Sequence, residues 1–357
     1  MEKLSRKEEV DRSQLKRGDP RRTPASALAS QSDASRRARS SKMDAITQRL
    51  EAGVREIFES GKFEEYLRVM SKFHHYSVRN SVLIALQNPD ATLCSGYQAW
   101  KKNFGRYVKK GEKAIEIIAP IKYEVKVREL KDEDLIRKYA DRNPEDVIQF
   151  TTFRPAYVFD VSQTDGKPLP EIAPDIAGSV EHFHEFMQAV KETSPVPIVT
   201  EPLTGSDGFY SQSEKKIHLR EGMSEVQTMA AAVHEMAHAT LHDLDMKDPE
   251  ASAEKLGKDR ATKEVEAESV AYVVNQYFGI ETGENSFGYV AAWSKDKELP
   301  ELMASLDTIR KTADSMITKM EASLEKQKNL YGMETPMKIP AVMEPSFYLR
   351  NEREKER

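Results

Sequence analysis

The segment HEMAHATLH carries the densest chemistry in the chain, with His234, Glu235, His238 and His242 in nine positions. In a helix, residues four apart share a face and stand about 6 Å apart along the axis. His234 and His238 can therefore turn their imidazoles onto one tetrahedral cation such as Zn²⁺, with Glu235 placed to act on a water in the open position. That is the chemistry of peptide-bond hydrolysis, in which the cation polarises the carbonyl and Glu235 serves as general base. A packed helix with two idle histidines has the same spacing, so the surroundings must decide. Ser224 and Gln227 form an S-x-x-Q capping box, and Val226, Met229, Ala230, Val233 and Ala237 supply an apolar stripe.

Two histidines need a third ligand. His242 lies a further turn along, and Leu241 stands where a glycine would turn the chain back, so the helix is expected to carry His242 away. TKEVEAESVAYVVNQYFG offers better candidates. Glu264 and Glu268 share one edge of its apolar arc, and Glu266 is expected to point outward near the other. Glu264 is the first choice as ligand and Glu268 as the carboxylate bonded to a ligand histidine, although the two can exchange roles. An exposed, salt-bridged face would show the same pattern. In GFYSQSEKKIHLR an edge strand is expected, able to pair with an extended peptide. Tyr210 within it is a candidate to hydrogen-bond the oxyanion, with a packed tyrosine as the plainer alternative.

A second stretch, GYQAWKKNFGRYVKKGEK, has a different chemistry. Lys101, Lys102, Arg106, Lys109, Lys110 and Lys113 interleave with Tyr97, Trp100, Phe104 and Tyr107. Cations neutralise phosphates and flat rings stack on bases, which together suit single-stranded nucleic acid. A basic hairpin whose rings are core has the same composition.

These segments need elements to position them. Ile46, Leu50, Val54, Ile57 and Phe58 recur at helical spacing, and further helices are expected through EEYLRVMSKFH and SVRNSVLIALQ. AIEIIAPIKYEVKV alternates like a strand pair broken around Pro120, and FRPAYVFDVSQ supplies another strand. RELKDEDLIRKYADRNPEDV between them has the character of an insertion. TDGKPLPEIAPDIAG marks a boundary near 165–178, and helices are expected at about 179–192, 224–242, 262–278 and 300–326. The expected class is α+β: two α+β domains, the second mostly helical.

Composition narrows the setting. The chain has 357 residues, 32% of them charged and 39% hydrophobic, with a net charge of −5. No apolar run approaches the roughly 18 residues needed to span a bilayer, and the first residues lack the apolar core of a secretory leader, so no membrane partner is expected. Cys94 is the single cysteine, which excludes an internal disulfide framework and fits a reducing cytoplasm. Residues 1–42 hold twelve Lys/Arg against six acids and are expected to be a disordered basic arm.

Both regions together resemble the ArdC-type antirestriction proteins of plasmids and integrative, conjugative elements. The likeness runs over about 44–161, from YSVRNSVLIALQNPDATLCSGYQAWKKNFGRYVKKGEKAIEIIAP to FRPAYVFDVSQT, and over about 178–310, through HEMAHATLH, KEVEAESVAYVV and SFGYVAAWS. A weaker likeness to ImmA-type gluzincins rests on H-E-x-x-H followed by EVEAE. The resemblance implies a single-stranded-DNA-binding domain over 43–165, a zincin-like zinc metallopeptidase domain over 178–310 acting on a protein or peptide, and a charged helical tail over 311–357. The competing class is a DNA-coating protein whose metal site is structural or vestigial; a third is a protease that cuts a regulator or protein attached to DNA.

Overall fold

The computed structural model describes residues 24–59, 61–169, 180–243, 257–280 and 287–330. Residues 1–23 of the basic arm, 170–179 of the boundary segment and 331–357 of the tail lie outside the described residues. The chain divides into two compact units, 1–45 and 46–357. Of the first, the described residues are helical. Helix α1 (Pro24–Glu59) begins well before Met43, where order was expected to start. Proline suits a first helical turn, and the Ala-, Ser- and Arg-rich run that follows contains no glycine or further proline before Gly53.

Within the second unit, Ile46, Leu50, Val54, Ile57 and Phe58 are buried, as their spacing requires. Helices α2 (Phe63–Lys72) and α3 (Val78–Gln87) follow, the latter capped by the Ser77 side chain on the Asn80 N–H. Strand β1 (Cys94–Gly96) leads into α4 (Tyr97–Phe104), which Gly105 ends in a left-handed conformation. Next come β2 (Arg106–Val108), β3 (Ile115–Lys126), the short α5 (Glu133–Lys138), β4 (Val147–Asp160) and β5 (Thr164–Gly166). The sheet order is β1-β4-β3, all antiparallel, and β2 pairs separately with β5.

One expectation changes here. AIEIIAPIKYEVKV is one continuous strand, with Pro120 opposite Phe153. Proline is tolerated because β3 lies at the sheet edge, where its missing N–H breaks no ladder. The charged insertion does not disturb pairing either: the register runs unbroken to Lys126 opposite Val147, and Glu145 pairs with Lys126 and Arg128 at the neck.

Helix α3 closes the free edge of β3 with side-chain amides. Asn80 donates to Ile118 O and accepts from Ile118 N, both at 2.9 Å. Gln87 does the same with Glu116, at 2.9 and 3.0 Å. Each amide replaces a neighbouring strand's pair of bonds, and its loss would cost about 1–3 kcal/mol for each buried group left unpaired.

The remaining elements are α6 (Val180–Thr193), β6 (Ile198–Glu201), β7 (Gly208–Ser211), β8 (Lys216–Arg220), α7 (Glu225–His242), α8 (Arg260–Tyr277), α9 (Val290–Ser294) and α10 (Leu299–Leu330). The helices fall where periodicity placed them. The sheet order β6-β8-β7 leaves β7 at an edge, as expected, while β6 had no clear sequence signal. Helix α7 packs on α8, and α10 on both α6 and α8. Helix α2 also packs on α8, where Tyr272 Oη donates to Glu64 at 3.2 Å, and Phe63 meets Phe287 edge-on at 5.4 Å. No helix among the described residues is long and apolar enough to cross a membrane.

Candidate metal centre and nucleic-acid surface

Helix α7 starts from the expected capping box on Ser224 and Gln227 and runs without a break through His242. Its facing partner α8 is capped by Asp259 on the Thr262 N–H. Across this helix pair, His234 Nε2 and His238 Nε2 lie 3.1 Å apart, and Glu264 Oε2 lies 3.6 Å from His238 Nε2. The three donor atoms all fall within 4.8 Å of one another. Ligands about 2.0–2.1 Å from a tetrahedral Zn²⁺ would stand about 3.3 Å apart, so the trio fits such an ion after small side-chain rotations.

The far sides of the rings are also held. His234 Nδ1 lies 3.1 Å from Glu268 Oε2, which places a proton on Nδ1 and leaves Nε2 facing His238. His238 Nδ1 lies 3.1 Å from His242 Nδ1. His242 therefore does not join the trio; it backs His238. Burial depresses the His242 imidazole's pKa, partly offset by Glu266, whose carboxylate lies 3.7 Å away.

Glu266 does not point outward. It is 1% exposed, accepting from Lys258 Nζ at 2.9 Å and from Ser305 Oγ at 2.9 Å. Helix α10 covers the edge of α8 that an isolated amphipathic helix would leave to solvent. Lys258, Glu266, His242 and His238 thus form a line of charged and polar groups behind the centre, hydrogen-bonded from Lys258 to Glu266 and from His242 to His238, with 3.7 Å between His242 and Glu266, which sequence reasoning missed. The third histidine at the same four-residue interval was its only visible signal.

Glu235 is buried, and burial raises its pKa against the opposing pull of His234, His238 and the Tyr210 backbone N–H. A carboxyl raised above its usual range beside two imidazoles is the better able to accept a proton and hand it on. Strand β7 comes so close that a Cβ at Gly208 would stand 3.2 Å from Glu235 Cγ and 2.9 Å from His218 O. A cleft of about 410 Å³ opens here, walled by Gly208, Ala230, His234, Glu235, Glu268 and Tyr272. Contact with His238 holds the Glu264 carboxyl low.

Tyr210 does not line the cleft. Its hydroxyl is buried, and burial followed by Asp243, at the far end of α7, holds its pKa well up. Desolvation, then the charges of Glu268 and Glu264, push the Tyr289 phenol up to about 12.

The basic stretch divides into framework and surface. Trp100 is 0% exposed and its indole N–H donates to Phe159 O at 2.9 Å, so it offers no ring face for stacking. Arg106 is committed to the chain as well, donating from Nε and NH2 to Thr164 and from NH1 to Lys167 O, at 2.6–2.8 Å. Both were expected to touch nucleic acid; the correction is that they tie α4 to β4 and β2 to β5. Tyr97 and Tyr107 are 56% and 59% exposed, and Lys101, Lys102, Lys110 and Lys113 are exposed beside them in sequence. Lys109 is half-buried, 3.9 Å from Glu112. Phe153 and Tyr157, exposed on β4, went unremarked; FRPAY places them four apart, on one face of a strand. Trp100→Ala should cost about 3–5 kcal/mol in denaturant unfolding. Trp100→Phe, which keeps a large buried ring, should fold with a smaller loss of stability.

Fold and site together define a mixed helix-and-sheet protein whose second half is built like a metallopeptidase, mostly helical around a histidine–glutamate helix pair. Residues 36–159 match the family model of the N-terminal domain of anti-restriction factor ArdC, and residues 149–325 match a family described as "Putative metallopeptidase family". The chain thus carries an ArdC-type N-terminal domain followed by a domain of that metallopeptidase family. An uncharacterized protein of Bacillus anthracis is 30% identical over 301 residues, 74% of this chain and 49% of that protein, so the chain spans about half the length of the curated relative it matches. Crystal structures of the antirestriction ArdC protein from the R388 plasmid, metal-free and Mn(II)-bound, align with TM-scores of 0.43 and 0.41. Identity is 21% and 19%, over 73% and 70% of this chain and 87% and 84% of theirs.

Proposed function

We propose that the chain is a single-stranded-DNA-binding antirestriction protein of a mobile element, acting in the cytoplasm, whose second domain is a zinc-dependent metallopeptidase. The observation that carries the peptidase assignment is the His234–His238–Glu264 trio, pre-set for a cation, with buried Glu235 beside it. His234, His238 and Glu264 would hold the ion. Bound there, Zn²⁺ supplies a Lewis acid for the scissile carbonyl and a water of lowered pKa. Glu235 takes a proton from the attacking water and delivers it to the leaving amine. Glu268 and His242 keep the two imidazoles turned inward. The open side of β7 offers backbone groups to an extended protein or peptide substrate, without demanding a side-chain sequence. Tyr97, Tyr107 and the lysines at 101, 102, 109, 110 and 113 supply the DNA surface.

Metal analysis tests the site. His234→Ala should lose one equivalent of bound metal, and so should Glu264→Gln. Glu268→Gln should retain it with affinity about 10–100-fold weaker, because it only orients His234. Full occupancy in His234→Ala would place the ion elsewhere, and the reverse order for the two glutamates would exchange their roles.

A further inference from the structure

The turn between α2 and α3 carries two adjacent histidines, His74 and His75, against Asp314 of α10. His74 Nδ1 lies 2.9 Å and His75 Nδ1 2.7 Å from the same Asp314 oxygen, Oδ1. These three donor atoms fall within 4.8 Å of one another, as do those of His234, His238 and Glu264. The donor set is also the same: two imidazoles and one carboxylate.

The surroundings hold the trio without sealing it. The His74 side chain is 3% exposed, with Tyr277 edge-on to its ring at 4.9 Å, and its carbonyl oxygen accepts from Arg310 at 3.3 Å. The side chains of His75 and Asp314 are 35% and 30% exposed, so a hydrated cation can enter from solvent. Glu321, which accepts from Tyr277 Oη at 2.5 Å, adds negative charge on the same helix as Asp314. Arg310 is the nearby cation, and it is turned to the His74 carbonyl and to Asp307 at 3.4 Å.

We propose that His74, His75 and Asp314 form a second divalent-cation site, distinct from the cluster on α7 and α8, which staples the α2–α3 turn to α10. Imidazole–carboxylate donors favour Zn²⁺, Co²⁺ or Ni²⁺ over Mg²⁺ or Ca²⁺. Without an ion, each imidazole can donate its Nδ1–H to Asp314. With one, the proton resides on Nε2 and Nδ1 turns its lone pair to the cation, so neutral rings release no proton. The staple joins a turn of the region matched to the ArdC N-terminal domain to the last long helix of the metallopeptidase half. A cation bound only by the folded chain stabilises it by mass action, and here it would strengthen the contact between the halves.

The test uses the full chain, stripped with chelator and dialysed against Zn²⁺ or Co²⁺. Wild type should hold two equivalents, while His75→Ala, Asp314→Asn and His238→Ala should each hold one. Asp314→Asn is nearly isosteric and His75 is partly exposed, so both variants should fold; their melting temperatures without metal check this. Added Zn²⁺ should raise the melting temperature of His238→Ala and leave that of a His238→Ala, Asp314→Asn double variant unchanged. One equivalent in wild type that survives Asp314→Asn would overturn the proposal and leave the trio as a hydrogen-bonded ion pair. One equivalent that survives His238→Ala and disappears in Asp314→Asn would sustain it while removing the hydrolytic centre proposed above.

Discussion

Glu235→Gln should bind metal as wild type does and lose peptide hydrolysis by on the order of 10²–10⁴-fold, the usual contribution of a positioned general base. The substitution is well matched to the site. Glutamine keeps the size of the side chain and an oxygen that can accept from the Tyr210 N–H, so the contact between α7 and β7 survives. It cannot take a proton. Because Glu235 is not one of the three clustered donors, metal content should not change, which separates this variant from His234→Ala or Glu264→Gln. Elemental analysis and cleavage of an unfolded protein substrate make the measurement. Hydrolysis that persists in Glu235→Gln would remove its general-base role. Protection of incoming DNA from restriction, followed in the same variant, asks a further question. Protection lost with hydrolysis ties the two together; protection retained assigns it to DNA binding.

How much of this was legible beforehand depends on the range of the interaction concerned. The helix carrying His234 and His238 was readable because capping, periodicity and the four-residue interval are all local. The same holds for Glu264 and Glu268, one turn apart on α8. Glu266 was misplaced because its burial comes from Ser305 and Lys258, far away in the chain or beyond the helix's own start. No hydrophobic period of α8 contains that information. Likewise, nothing near Asn80 says that its amide will complete the edge of β3, and Pro120 looks like a strand break until that strand is known to be an edge. Trp100 shows the limit of composition: a tryptophan among lysines suggests a stacking platform, but its burial is set by β4, whose Phe159 carbonyl accepts the indole proton.

The surface rings define the second large effect. Tyr107→Ala should weaken binding of single-stranded DNA by about 5–150-fold, the equivalent of about 1–3 kcal/mol for one stacked base. Tyr107 lies in β2, paired with β5 opposite Asp165, so its backbone is fixed while its ring stands in solvent. Removing an exposed ring costs little packing, and the melting temperature should hold. Because stacking releases no counterions, the dependence of affinity on salt should keep its slope. Lys101→Ala with Lys110→Ala should do the opposite, flattening the slope by about 0.7 for each phosphate contact removed from a single strand. Both lysines are exposed, so that double variant should also fold. The two signatures separate stacking from charge in one titration series, with a duplex of the same sequence as the control. Duplex DNA hides its base faces, so Tyr107→Ala should leave duplex affinity nearly unchanged. An equal loss on both forms would mean the ring serves the fold rather than the strand, and equal wild-type affinity for both would reduce the region to a general basic patch.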